Sequence, residues 1–542
     1  MGSSWSQLSV RMARCLCLIT FWAMITVLGG VFPPHVGAAE KKSIQGVVKS
    51  ESGAPVKGVF VQAQNRTTKI TTSVLTDRQG KYWFDELPNG DYSVLVAGVG
   101  FSSSTPKNIN LAADKSPSLD FELKSRQISW TELAWTNYKE LLPDRPGKAA
   151  ALDTCGACHG FRWHSIHPKD LSGWRNTLNW MRTEWSYFLG PEGVPEGAEP
   201  RLSDDRLELI ASYLASVFGP EADLPSYPNV KRPEYGDEAL NIVYVDYPLP
   251  TPKAFPWTAA PDDKGYIWIP EYNTNQIARL NPDTGEFREY KVPYPKRAAI
   301  HSAVPSPDGT VWATEASTAF RIAQFDPKTE KFTEYPDPRS KGDRGKHTNL
   351  VDSKGRVWST GGYTITMFDP ATKKYSYYGD KPLDWGTYGI AADKEDNIWF
   401  TRLSEGTLGK IDSKTGKVKE WERPKGSGPR RIHIDANGYV WFAEYFTGKL
   451  VRLDPKTETF KEFPLPGPDS RPYAIGIDAG DNLWYYAWGR SEMGRLEPQT
   501  GRITQYPVPY IDPVMRNFYR DSKGRMWYGA PSANKVGYFY LR

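Results

Sequence analysis

A tryptophan recurs every 41 to 46 residues through the second half of the chain, at Trp268, Trp312, Trp358, Trp399, Trp441, Trp484 and Trp527. Each follows a turn and opens a short apolar run. About fourteen residues later most units show a second turn, as in Asn281-Pro282-Asp283-Thr284-Gly285, Asp326-Pro327-Lys328-Thr329 or Asp412-Ser413-Lys414-Thr415-Gly416. A period of this length marks one supersecondary unit that buries its core only against copies of itself. Four short antiparallel strands fit each unit. That is a β-propeller blade, and seven fit within residues 241–542. The last unit stops before its second turn, while Ile242-Val243-Tyr244-Val245-Asp246-Tyr247-Pro248-Leu249-Pro250 ends as the outer strands do. This predicts that the N-terminal strand completes the last blade and leaves no open edge. The repeat tryptophans are read as core packing.

The blade architecture puts the loops entering the inner strands on the same face as the ends of the second strands. The entry loops carry Arg297 and His301, His347, Tyr388, Arg430, Arg431 and His433, Arg471 and Tyr473, and Arg516 and Asn517. The second strands end at Glu271-Tyr272, Glu315, Arg402 and Glu444-Tyr445. All three propeller histidines thus fall in equivalent loops. His301, His347, His433, Glu271, Glu315, Glu444, Arg430 and Arg431 are the candidate catalytic residues. Histidine there suits a general base or a metal ligand. Basic neighbours favour an anionic or oxygen-rich small molecule, with charges that count for more in a partly dry mouth.

Trp441-Phe442-Ala443-Glu444-Tyr445 through Leu465-Pro466, with its weaker copies, resembles the virginiamycin B (streptogramin) lyase family. The resemblance implies a seven-bladed propeller. It also implies opening of a cyclic depsipeptide by C–O elimination, using a histidine, acidic residues and a magnesium ion on one face. No ligand pattern read from this sequence independently supports the magnesium. The family's Pro-His-Gly sequence reads Pro429-Arg430-Arg431 here, with arginine in the histidine's place.

Upstream, Cys155-Gly156-Ala157-Cys158-His159 has the order of a c-type haem attachment site. Two thiols bond the haem vinyl groups and the following histidine ligates iron. The other cysteines, Cys15 and Cys17, lie in the N-terminal segment, so this pair has no competitor. A thioredoxin-like disulfide would need a βαβ setting that the surroundings lack, and a zinc site would need more ligands. Residues 128–222 read as helical. Lys148-Ala149-Ala150-Ala151-Leu152 leads into the motif, Trp174, Leu178 and Met181 stripe a second helix, and Leu207, Ile210, Leu214 and Val217 stripe a third that Ser203 caps. This segment resembles small cytochrome c domains of quinohaemoprotein-type oxidases. The resemblance makes Met181 the sixth ligand, with His164 and His167 as alternatives. One covalent haem c would then be held by Cys155, Cys158, His159 and Met181.

Residues 43–124 read as short strands between turns. Gly53-Ala54-Pro55-Val56, Thr76-Asp77…Gly80-Lys81-Tyr82 and Leu87-Pro88-Asn89-Gly90-Asp91-Tyr92 resemble the carboxypeptidase regulatory-like (transthyretin-like) β-sandwich, an accessory module with a carbohydrate-binding-like fold. Residues 1–39 have the build of a signal peptide, with Arg11 and Arg14 before an apolar stretch and Gly37-Ala38-Ala39 at a cleavage site. A proline-rich linker covers about 221 to 240.

The expected molecule is a mainly β multidomain protein: a β-sandwich, a small α-helical cytochrome c domain and a seven-bladed β-propeller. It is expected in the periplasm or secreted, with no membrane span after leader removal. A net charge of +5 without a basic tract excludes a nucleic-acid-binding profile. The functional expectation is a haem-dependent oxidoreductase whose electron transfer is coupled to a small-molecule or partner site on the propeller, with a soluble redox partner. The alternatives are a lyase-like propeller with an accessory haem and a non-catalytic ligand-binding scaffold.

Overall fold

The computed structural model of the chain describes residues 42–111, 117–156, 160–184, 202–294, 298–316, 320–339, 346–362, 364–379 and 386–542. The expected leader, Cys158, His159 and Arg297 lie outside the described residues. The protein is mainly β, with few helices.

Alternating burial builds the first layer pair. In Asp91–Ala97, Tyr92, Val94 and Val96 face inward while Asp91, Ser93 and Leu95 do not. One sheet runs in the order Lys81–Leu87, Lys42–Ser50, Phe121–Leu123. The facing sheet runs Thr71–Leu75, Phe60–Asn65, Asp91–Ala97, Lys107–Asn110. Ile44, Val61, Phe84, Val94 and Leu123 close the core between them.

From residue 242 the described strands form six four-stranded antiparallel sheets and a further quartet. The quartet orders Phe518–Arg520, Met526–Ala530, Lys535–Leu541 and Ile242–Pro248, so the first strand of the repeat region pairs with the last along Ile242↔Leu541 to Pro248↔Lys535. Its other edge pairs with Thr71–Leu75, through Thr72↔Val245, which fuses the sandwich and the quartet into one eight-stranded sheet. A strand edge that would template aggregation is covered by the preceding module.

The repeat tryptophans are buried, and six of them also bond. The Trp441 indole Nε1 donates to Asp435 Oδ2 at 2.8 Å. Oδ1 of the same aspartate accepts from the backbone N–H groups of Asn437 and Tyr439. The same bond joins Trp268 to Asp262, Trp358 to Asp352, Trp399 to Asp393, Trp484 to Asp478 and Trp527 to Asp521. Position 306, the equivalent for Trp312, is serine. Each aspartate thus ties a turn to the core of its own sheet.

Between sandwich and repeats lie α1 (Trp135–Leu141), α2 (Lys148–Cys155), α3 (Arg162–Ile166), α4 (Leu171–Glu184) and α5 (Asp204–Phe218). Of the predicted stripes, Trp174 and Leu178 on α4 and Leu207, Ile210, Leu214 and Val217 on α5 are buried, while Met181 on α4 is only partly buried. Ser203 stands at the α5 N-cap in extended conformation, without a side-chain cap bond. Among the described residues no helix is long and apolar enough to cross a membrane.

Candidate functional site

Four of the inner strands begin with a break in pairing register, between Ile300 and Ser302, Thr387 and Ile390, Pro429 and Ile432, and Pro472 and Ile475. An extra residue there bends the strand and re-aims its side chains. The residues in these breaks are His301, Tyr388 and Gly389, Arg430 and Arg431, and Tyr473 and Ala474. Bulges in the same place of four sheets bring the polar and aromatic ones together.

Their contacts run from sheet to sheet and return to the start. Trp257 lies 5.0 Å from His301, His301 3.8 Å from His347, and His347 4.3 Å from Tyr388, between ring centroids. The Tyr388 and Tyr473 hydroxyls hydrogen-bond each other. The Arg516 guanidinium sits 4.5 Å from the Tyr473 ring and 4.4 Å from that of Trp257. Arg430 lies over Tyr445 at 3.8 Å and Tyr473 at 4.4 Å. Arg431 Nε donates to the Arg516 carbonyl and Nη1 to Thr348 Oγ1, both at 2.8 Å. Thr348 Oγ1 also meets His347 Nδ1 at 2.8 Å.

The ring is buried and positively charged. Arg430, Arg431 and Arg516 are 3, 2 and 7% exposed. Burial first, and then the neighbouring arginines, push His301 and His347 well below the usual imidazole range, which leaves them neutral. His347 also lowers His301. Burial pushes the Tyr473 phenol up, but Arg516, Arg430 and Arg431 outweigh it and bring it down to about 8. Its partner Tyr388 is raised, by burial and by Tyr473. The pair therefore has one phenol ready to lose its proton and one that keeps it.

The helices sit on this face. Trp135 of α1 packs against Trp488 at 5.5 Å, and its indole donates to Asp469 Oδ2 at 3.2 Å. Lys139 reaches the same carboxylate at 2.9 Å. At the end of α2, the Gly156 carbonyl accepts from Arg471 Nη1 and from the Tyr445 hydroxyl. Just before α3, Gly160 lies against Asp512. Burial raises that carboxyl to about 6, against the pull of Arg162 and Arg516.

The structure thus brings His301, His347, Arg430 and Arg431 together. His433 lies two residues along the strand from Arg431, with Nε2 3.0 Å from Asn517 Oδ1. The three glutamates end their strands as expected, but their contacts lie elsewhere. Glu444 pairs with Arg423 at 2.7 Å, Glu315 with Arg321 at 3.8 Å, and Glu271 accepts from Thr274 at 2.7 Å. Trp257, Thr348 and Asp512 are neighbours that the repeat did not single out. Trp257 precedes an inner strand of only two residues, Ala260–Pro261, so its blade position is faint in the sequence.

For a haem, the described donors are Cys155, buried at the end of α2, and Met181, partly buried on α4. Met181 lines a groove of about 490 Å³ with Lys169, Gly173, Asn176, Thr177 and the exposed Trp180. Cys155 belongs to one hydrophobic cluster and Met181 packs against it, so a thiol and a thioether of the kinds a covalent haem would need border the same core. His164 is instead enclosed by Phe161, Trp174 and Phe218, and His167 is exposed. Among the described residues no group of three or more His, Cys, Asp or Glu is arranged to hold a metal ion.

Two family models match the chain: the virginiamycin B lyase family over residues 378–541 and the carboxypeptidase regulatory-like domain over residues 43–124. Among solved structures, a virginiamycin B lyase from Staphylococcus aureus is 26% identical with a TM-score of 0.51, covering 56% of this chain and 100% of its own. A streptogramin B lyase is likewise 26% identical, with a TM-score of 0.52, covering 57% of this chain and 100% of its own. A catalytically inactive His-to-Ala form of the Staphylococcus aureus lyase, with quinupristin, matches at 26% identity and a TM-score of 0.50, over 56% of this chain and 100% of its own. No curated protein sequence matches. The chain therefore carries a virginiamycin B lyase-like propeller domain and a carboxypeptidase regulatory-like domain.

Proposed function

We propose that residues 241–542 close as seven blades around the histidine–tyrosine–arginine ring, that this ring binds a small organic molecule, and that residues 128–222 are a c-type cytochrome domain seated over it. In this reading residues 1–39 direct export, and the protein works outside the cytoplasm as an oxidoreductase with a soluble redox partner. Cys155 and Cys158 would tether one haem, and His159 and Met181 would supply its iron with donors. When bound, that group supplies one-electron transfer, at a potential raised by the thioether.

One observation carries the reading. Gly156, the second residue of the proposed attachment sequence, accepts from Arg471 and Tyr445, and the Tyr445 face holds Arg430. The chain's own groups orient and shield the molecule. Arg430 and Arg516 hold charge, Trp257 and Tyr388 form walls, and α1 with Gly156 and Gly160 excludes water. Tyr473 holds or releases a proton near neutral pH, hydrogen-bonded to Tyr388.

The test is a visible-absorption screen for haem reduction by small molecules, run on the exported protein and on Arg430→Gln. A rate about tenfold lower in the variant is expected. Equal rates would remove the ring from the reaction.

A lyase reading is favoured by the family match over 378–541 and by the 26% identity to two lyases. Under it, His433 or His301 would serve as base for C–O cleavage of a cyclic depsipeptide. Turnover that depends on added Mg²⁺, is abolished by chelation and ignores the haem oxidation state would select it over the redox reading.

A further inference from the structure

We infer that the ring is a carboxylate receptor, with Arg431 as its anchor and Arg430 and Arg516 beside it. This rests on the small-molecule site proposed above and names the class of molecule it takes.

Arg431 is 2% exposed, and its contacts among the described residues are a carbonyl, a hydroxyl and the Tyr388 ring 5.2 Å away, none of them acidic. Its Nη2 is buried with no hydrogen-bond partner among the described residues. A buried guanidinium without a full counter-charge is strongly unfavourable, and near pH 7 the Tyr473 phenol, brought down to about 8, is still mostly protonated, so the arrangement favours an added anion. The acids nearby are engaged elsewhere. Asp469 holds Arg471 and Lys139, and Asp512 faces Arg162 and Arg516. The histidines cannot help, because neutral imidazoles carry no counter-charge, and His301 Nδ1 is itself buried without a partner among the described residues.

A carboxylate completes this arrangement. Its two coplanar oxygens match the guanidinium fork, and one oxygen can take the orphan Nη2 proton. The flanking Trp257, Tyr388 and Tyr473 rings suit a planar or aromatic acid. Phosphate would bring a third and fourth oxygen toward aromatic faces, and chloride would satisfy charge without using the fork.

The test is isothermal titration of the full exported protein with sodium benzoate near pH 7, against sodium chloride and sodium phosphate at equal ionic strength. Benzoate is expected to bind saturably, to raise the melting temperature, and to bind about tenfold more weakly to Arg431→Met. The exposed Arg288→Gln should bind like the parent. A readout on the unaltered protein guards against a variant that does not fold. Benzoate should move the phenolate absorbance titration of Tyr473 to higher pH, because it offsets the field of Arg430, Arg431 and Arg516 on the Tyr388–Tyr473 pair beside Tyr445. Chloride or phosphate binding as tightly as benzoate, a parent-like Arg431→Met, or an unmoved titration would overturn the inference. Covalent haem is read separately by intact mass. A haem-bearing protein that ignores benzoate therefore loses only the receptor, and a haem-free protein that binds it loses only the redox reading.

Discussion

Gly156 shows how one residue of the attachment sequence is held by its surroundings. A Cβ placed there would lie 2.4 Å from the Trp135 ring, which is itself packed on Trp488. Gly156→Ala should therefore cost about 1–3 kcal/mol by overpacking and loosen α2 from the propeller face, read as a lower urea midpoint with altered tryptophan emission. The sequence shows that two thiols and a histidine are spaced for haem, but not that Gly156 touches a tryptophan 21 positions upstream. The candidate residues divide in the same way. The repeat locates the loops, and so His301, His347, Arg430 and Arg431 are legible from it. It does not say which way a strand-ending side chain points. Glu444 turns to Arg423, which offers the buried carboxylate a charge partner at 2.7 Å, whereas Glu315 comes only within 3.8 Å of Arg321 and burial raises it.

At the scale of the element, the turn before each repeat tryptophan is the unit that makes a sheet. Asp435 takes two turn N–H groups on one oxygen and the Trp441 indole on the other. Asp435→Ala leaves a buried indole N–H unpaired and should lower stability by about 1–3 kcal/mol, measured by chemical denaturation. Trp312, whose equivalent position is Ser306, is the internal comparison: Ser306→Ala should cost less than Asp435→Ala. Reading these tryptophans as packing alone misses the bond, although an aspartate six residues before six of the seven was there to be seen. The junction between Thr71–Leu75 and Ile242–Pro248 is a different matter. Nothing in either stretch marks the other as its partner, since long-range pairing leaves no local periodicity.

For the whole molecule, buried ionisable groups set how stability follows pH. Burial raises Glu271 to about 8, with Glu289 adding to it, and raises Glu315 to about 8, with Glu334 beside it. Their folded values exceed the ordinary carboxyl value of 4.5, so between 4.5 and 8 the folded state binds more protons than the unfolded one. Their contribution to stability is full below that window and is lost as pH rises through it. His301, His347 and His433 work in the opposite sense. All are lowered, chiefly by burial, so below 6.5 the unfolded state takes protons first and stability falls with falling pH. From about pH 6.5 to 8 the glutamates outweigh the histidines and the denaturation midpoint should decline, until the Tyr473 phenol, lowered to about 8, begins to lose its proton and works the other way. Glu271→Gln should flatten that decline.

These scales meet at the contact between Cys155-Gly156 and the ring of Arg430, Tyr445 and Tyr473, where a tethered redox group would serve a buried site. The most direct test is the intact mass and pyridine haemochrome spectrum of protein exported in a host with haem-attachment machinery. The account predicts one added haem per chain, bound through two thioethers and lost in Cys158→Ala. A polypeptide of unmodified mass with both thiols reactive would contradict it.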